Sequence, residues 1–442
     1  MPLRLLVALL LVSSAAASAE VPRDRGSVIF FHPDGAGAGT WAAARMLYAG
    51  PDGDLEWDLL PHISVYRGHQ SDNLTASSNG GATSHAYGVK VKRSAFGRTE
   101  AGPDGFEPVD HQGRSLSVAK QAIAAGLPVG LVQSGSAVEP GTAVFVSSVN
   151  ARADYEEIVD KLVHSGAAVM FSGGEEWFLP EGTQGLYTQG KRTDGRNLLD
   201  EAREMGYLVI QTREQLANIP DDAEKVLGVF SEHHTFNDKP EETLRELGLP
   251  LYDPAAPTIA EMTDAALEIL GRDGQQFLLI AEEEGTDNFG NNKNASGTLL
   301  AAKRSDDALG VCRRFVQANP QTLLFTTADS DGGGMRPFGM TVSDEDMLPT
   351  RVPSENRGGA PFDGVEGTGG TPFLAQADRS GRRLPFAIAW ASAYDVSGGI
   401  LVRAEGFNGH LVAGSMDNTD VAKLIRQTLF GSQEPTTRPS TD

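Results

Sequence analysis

The stretch that most constrains this chain is Phe277 to Gly297, FLLIAEEEGTDNFGNNKNASG. Its first residues, Phe277-Leu278-Leu279-Ile280-Ala281, form an unbroken apolar run with the length and composition of a buried strand. The run ends in three consecutive glutamates, and Asp287 follows. Carboxylates at the end of a buried strand have no structural use without positive charge beside them. The pattern recurs twice. Val28-Ile29-Phe30-Phe31 runs into Asp34 and a glycine-rich turn, and Leu323-Leu324-Phe325-Thr326-Thr327-Ala328 runs into Asp329. Three strands that each deliver an acid at the carboxyl tip point to an α/β sheet with one shared site along that edge. Acids converging there beyond what helix caps require point to divalent cations.

Strand-like runs at 27–31, 129–133, 168–171, 207–211, 277–281 and 323–328 alternate with amphipathic segments at 155–165, 198–206, 258–270, 298–317 and 418–430. That alternation predicts a three-layer α/β sandwich, a mostly parallel central sheet with helices on both faces. Residues 213–258, broken by Pro240, Pro250, Pro254 and Pro257, read as an excursion from the sheet. Residues 332–383 are rich in Gly and Pro without periodicity and read as a long wall or lid over a site, followed by late strands at 384–391 and 400–404. One catalytic domain over residues 20–430 is expected, with those two insertions and a disordered tail at 431–442. Residues 1–19 carry one basic residue, a Leu/Val-rich core and an Ala-Ser-Ala end, the pattern of a signal peptide cleaved before Glu20. The expectation is a periplasmic or secreted protein without a membrane anchor.

The chain has 59 acidic against 37 basic residues, a net charge of −22. Such a surface repels nucleic acid and anionic membranes, so neither is expected as a partner. Cys312 is the only cysteine, which rules out an intrachain disulfide, and its apolar helical context makes it a buried small hydrophobe. Ser77 and Ser78 stand at the start of a helix of small residues, where backbone N–H groups and the helix dipole favour an anion. Capping is the ordinary role of serines at such a position. Arg152, in Arg152-Ala153-Asp154-Tyr155, opens a further helix. Cations, a hydroxyl and a guanidinium fork are together what phosphoryl transfer requires.

The ordered segments HPDGAG, SSNGGATSHAYGVK, AVEPGTAVFVSSVNARADYEEIV, FSGGEEWFLP, LGVF, EMTDAALEIL, FLLIAEEEGTDNFGNNKNASG and TTADSDGG resemble the alkaline phosphatase family from about Ser27 to Phe430. The resemblance implies a metal-dependent phosphatase acting on small phosphate esters through a phosphoserine, with two to three divalent ions and a possible homodimer. It places the phosphoryl-accepting serine at Ser78 and the phosphate-binding arginine at Arg152. Asp34 would bridge one zinc and a magnesium, with Glu282 a magnesium ligand, Asp287 a ligand of the first zinc and Asp329 of the second. Glu139 stands where the family has a Thr or Ser that helps hold magnesium.

Three positions depart from the family: its zinc-binding histidines fall on Asn291, Ser330 and Asp395 here. Oxygen donors suit magnesium, manganese or calcium better than zinc, and Glu283, Glu284 and Asp331 stand ready to add more. Of the remaining histidines, His233 and His234 are expected as loop residues and His85 as a packed one. His32, beside Asp34, reads equally as a metal neighbour or as an orienter of ligands. A phosphodiesterase or sulfatase of the same superfamily and a catalytically weak metal-binding pseudoenzyme are the alternative readings.

Overall fold

The computed structural model describes residues 24–342 and 348–431. The expected signal peptide, and the tail beyond residue 431, lie outside the described residues. The apolar runs become strands: β1 (Ser27–Pro33), β2 (His62–Arg67), β3 (Val129–Ser136), β4 (Val169–Gly173), β5 (Leu208–Ile210), β6 (Val226–Val229), β7 (Leu278–Glu283) and β8 (Thr322–Thr326). Five short strands follow, β9 (Arg336–Gly339), β10 (Phe362–Gly364), β11 (Gly367–Thr368), β12 (Phe373–Leu374) and β13 (Pro385–Ala389). β14 (Leu401–Gly406) and β15 (Gly414–Asp417) complete the set.

The central sheet runs in the order β15-β2-β14-β8-β1-β7-β3-β4-β6-β5. Every neighbouring pair is parallel except the two made by β14. Side chains alternate across it. Val28 and Phe30 enter one apolar core, with Ala82 and Ala86 of helix Ser78–Tyr87 and Ile158 of helix Tyr155–Val163. Ile29 and Phe31 enter the other, with Met262 of helix Ile259–Leu270 and Leu299 of helix Ala295–Ala318. Helices therefore cover both faces, as the alternation of apolar runs requires.

Residues 213–258 are not wholly an excursion, because β6 sits between β4 and β5 as a full member of the sheet. Four buried residues, Val-Leu-Gly-Val, are too short to display a period. Residues 332–383 likewise supply β9 to β12, which pair antiparallel as a small second sheet around β13. The late strand at 384–391 belongs to that sheet and not to the central one. The edge strand β15 and its neighbour β2 contain no unbroken apolar run, so neither is announced by the sequence.

Register places the site. Phe31 lies opposite Thr326, His32 opposite Glu282 and Pro33 opposite Glu283. Asp34, the glutamate run and Asp329 therefore leave three adjacent strands at the same edge.

Candidate functional site

Ser77 occupies the N-cap position of helix Ser78–Tyr87, yet no side chain caps that helix. The Ser77 hydroxyl donates instead to the Arg93 carbonyl at 2.6 Å. Ser78 is left 7% exposed at the first helical position. It lines a pocket of about 580 Å³ together with Arg93, Arg152, Glu284, Asp287, Asn291 and Asp395. Arg152 donates to Asn79 Oδ1 at 3.3 Å and ion-pairs with Glu139. The Glu139 charge, followed by those of Glu284, Asp34 and Asp287, holds the guanidinium firmly protonated against burial. Arg93 was not singled out in the sequence, where it ends the run Lys90-Val-Lys-Arg and looks like any solvated charge. Folding brings its Nη2 to 3.7 Å from Asp395 Oδ2 on the pocket wall.

Behind Ser78 the acids converge. Asp34 and Glu282 are fully buried, and Glu284 and Asp329 are 1% exposed. Two glycines make the approach possible. At Gly35, with φ +67°, a Cβ would lie 2.5 Å from Asp287 Oδ1, and at Gly81 a Cβ would lie 2.4 Å from Asp329 Oδ2. Gly81 is one helical turn beyond Ser78, so its missing side chain is what lets Asp329 reach the Ser78 end of that helix. Gly81→Ala is therefore expected to displace Asp329, cost about 1–3 kcal/mol of stability, and reduce divalent-cation affinity in a titration followed by thermal melting.

Whether cations fit is decided by which buried atoms lack partners. Both oxygens of Asp34, both of Asp329, Oε2 of Glu282, Oε2 of Glu284 and Nε2 of His32 are buried without a hydrogen bond. Uncompensated buried carboxylates cost several kcal/mol each, so a native site of this kind holds cations or protons. Accordingly, without ions, burial and neighbouring acids raise the Glu284 and Asp329 carboxyls well above the usual range. Ligand atoms of Asp34, Glu282 and Glu284 lie within 4.8 Å of one another, as do those of His32, Asp34 and Asp329. Asp34 is common to both groups, which suits a pair of ions sharing one carboxylate.

Other expected ligands are placed differently. Glu284 is the third acid of the cluster with Asp34 and Glu282, while Glu139 pairs with Arg152 and has ligand atoms within 4.8 Å of those of His233 and His234. Asn291 presents its amide nitrogen, which donates to Asp287 Oδ1 at 3.0 Å, to Asp287 Oδ2 at 2.9 Å and to Asp395 Oδ1 at 2.9 Å. Its oxygen accepts from the Gly333 N–H at 2.9 Å. Three oxygens of Asp287 and Asp395 thus share the two N–H bonds of one amide, and Asn291, with its oxygen held by Gly333, offers no free oxygen to an ion in this arrangement. Ser330 is buried beside Asp329. Glu283 points to the opposite face of β7, where Ser134, Tyr252 and the Gly285 N–H satisfy one oxygen. Asp331 pairs with Arg336 at 2.7 Å.

The histidines sort by packing. His85 is fully buried with its Nε2 2.6 Å from the Tyr66 hydroxyl, in keeping with a packed residue. His234 is no plain loop residue: its imidazole is 6% exposed, stacks on Phe236, and accepts from the Ser136 N–H at 3.1 Å. It lies 3.9 Å from Glu139. Nothing in a His-His pair between prolines announces that return to the sheet edge.

A doubly covered, mostly parallel sheet with a serine at a helix start and paired acid clusters at its carboxyl edge defines a class of protein built around cations and an anionic ligand. The family is explicit: the family model for alkaline phosphatase matches residues 26–430, and the chain belongs to the alkaline phosphatase family. Among curated relatives, the membrane-bound alkaline phosphatase of Bombyx mori is 27% identical over 343 residues, 69% of this chain and 60% of that protein. The matched stretch is thus less than two thirds of the silkworm protein's length. The alkaline phosphatase of Escherichia fergusonii is 26% identical over 345 residues, 69% of each chain. Thermus thermophilus alkaline phosphatase superposes with a TM-score of 0.70 at 22% identity, covering 97% of both chains, and shares the fold. Among the described residues no helix is long and apolar enough to cross a membrane.

Proposed function

We propose that this protein hydrolyses phosphate monoesters through a phosphoserine formed on Ser78. One observation carries the reading: Ser78, the first residue of a helix whose N-cap side chain makes no capping bond, shares its pocket with two arginines, beside buried acids whose oxygens lack partners. Ser78 Oγ attacks phosphorus, its proton leaves with the departing alcohol, and the phosphoryl group passes to the serine. Water then cleaves the phosphoserine, giving inorganic phosphate and the free hydroxyl again. Arg152 holds phosphoryl oxygens as a planar fork, and the first N–H groups of helix Ser78–Tyr87 point at the same charge. Asp34, Glu282, Glu284 and Asp329 would hold the ions, magnesium, manganese, calcium or zinc. When bound, such ions lower the pKa of a hydroxyl and neutralise charge on the reacting phosphate.

Comparing a phosphate monoester, a phosphate diester and a sulfate ester of the same leaving group tests the reading. The monoester should be fastest, and a faster diester or sulfate would assign the site to the alternative chemistries. Arg152→Ala should lower kcat/KM by about 100-fold or more, the scale of removing one donor to a developing charge. Arg93→Ala should act mainly on KM, by about 10-fold, as expected for a charged contact at the pocket wall. Steady-state kinetics at fixed cation concentration checks both. The reading includes export to the periplasm or medium, resting on residues 1–19. It also includes the homodimer implied by family resemblance, which sedimentation of the purified chain would test.

A further inference from the structure

We infer that His32 is a direct metal ligand, through Nε2, at the position shared with Asp34 and Asp329. The inference rests on the proposed cation-dependent reading and adds a nitrogen to a donor set that the sequence made all oxygen. His32 is fully buried in β1, two residues before Asp34. Its Nδ1 lies 3.2 Å from Glu282 Oε1, and a carboxylate beside that nitrogen fixes the proton there. Nε2 then presents a lone pair. It is buried with no hydrogen-bond partner, 3.8 Å from Asp34 Oδ1, with Asp329 completing the cluster. The ring cannot easily turn away, since His85 meets it edge-on with centroids 5.5 Å apart at 87°. A hydrogen-bonded imidazole that aims its free nitrogen at two unpartnered carboxylates is the arrangement of a histidine ligand with its orienting acid.

The chemical consequence concerns Ser330. Family resemblance puts a histidine at that position, following Asp329, and its loss removes an imidazole from the ion held by Asp329. His32 returns one from the neighbouring strand, since β1 pairs with β8. With one nitrogen and two carboxylates, this position suits zinc or another borderline ion. The Asp34–Glu282–Glu284 position offers oxygen only and suits a harder ion such as magnesium.

Pulsed electron paramagnetic resonance on the full chain, stripped of metal and reloaded with Mn2+, reads the coordination directly and without turnover. The expected result is a coupling from one directly bonded ¹⁴N that changes on ¹⁵N-histidine labelling and disappears in His32→Gln. Addition of Ser330→His to His32→Gln should restore a nitrogen coupling. Absence of the coupling in the wild-type protein would overturn the assignment and leave His32 as a charged neighbour of Glu282 and Asp34. Persistence of the coupling in a folded His32→Gln would overturn it equally. The wild-type measurement decides even if the variant does not fold. Because no substrate is present, failure here leaves the phosphatase reading to be judged separately by its kinetics.

Discussion

Replacing Ser78 by alanine is expected to lower phosphate-monoester hydrolysis by about four orders of magnitude or more, the scale seen when a covalent nucleophile is removed. The fall should appear in kcat, because Arg152, Arg93 and the helix N-terminus would still bind the substrate. Ser77→Ala provides the contrast. The Ser77 hydroxyl is committed to the Arg93 carbonyl at 2.6 Å, so its loss should loosen the loop that carries Arg93 and raise KM modestly. Equal falls in kcat for the two variants, or full activity in Ser78→Ala, would contradict the assignment.

Chelation should destabilise the protein in a pH-dependent way, and the sign follows from the buried acids. Without ions, burial raises the Glu282 carboxyl from 4.5 to about 7, with His32 partly opposing the shift. Between those values the folded state keeps a proton that the unfolded state has lost. The associated stability is fully present below about 4.5 and is lost as pH rises through about 7. For Glu282 alone the loss is of order 3 kcal/mol. Glu284 and Asp329 are raised well above the usual range for the same reason, burial among other acids, and act in the same direction. Bound cations satisfy the ionised carboxylates and remove the loss. The gap in Tm between ion-loaded and chelated protein should therefore be small near pH 5 and widen by pH 8, measured by scanning calorimetry. A gap of equal size at both pH values would mean that these acids do not carry the ions.

The strands that place the site were legible because each is an unbroken apolar run closing on an acid. Phe277 to Ala281, Val28 to Phe31 and Leu323 to Ala328 became β7, β1 and β8 in adjacent register. The acids at their tips followed from that register. What was not legible depended on contacts across the chain. Whether Glu282 or Glu283 faces the site is settled by the pleat of β7. Only the folded chain shows Glu139 between Arg152 on one side and His233 and His234 on the other. Asn291 and Asp395 meet through a single amide that no spacing reveals. Arg93 and His234 look like a solvated charge and a loop residue until the turns carrying them return to the pocket. β6, at four residues, is simply shorter than the period by which a strand is recognised.

The central claim is that Ser78 accepts the phosphoryl group. Rapid acid quenching during turnover of a phosphate monoester, followed by peptide mass spectrometry, tests it most directly. The account predicts one added phosphoryl group on the peptide containing Ser77 and Ser78, with fragmentation placing it on Ser78, and none in Ser78→Ala. Turnover without any phosphorylated peptide, or phosphorylation elsewhere in a kinetically competent intermediate, would contradict it.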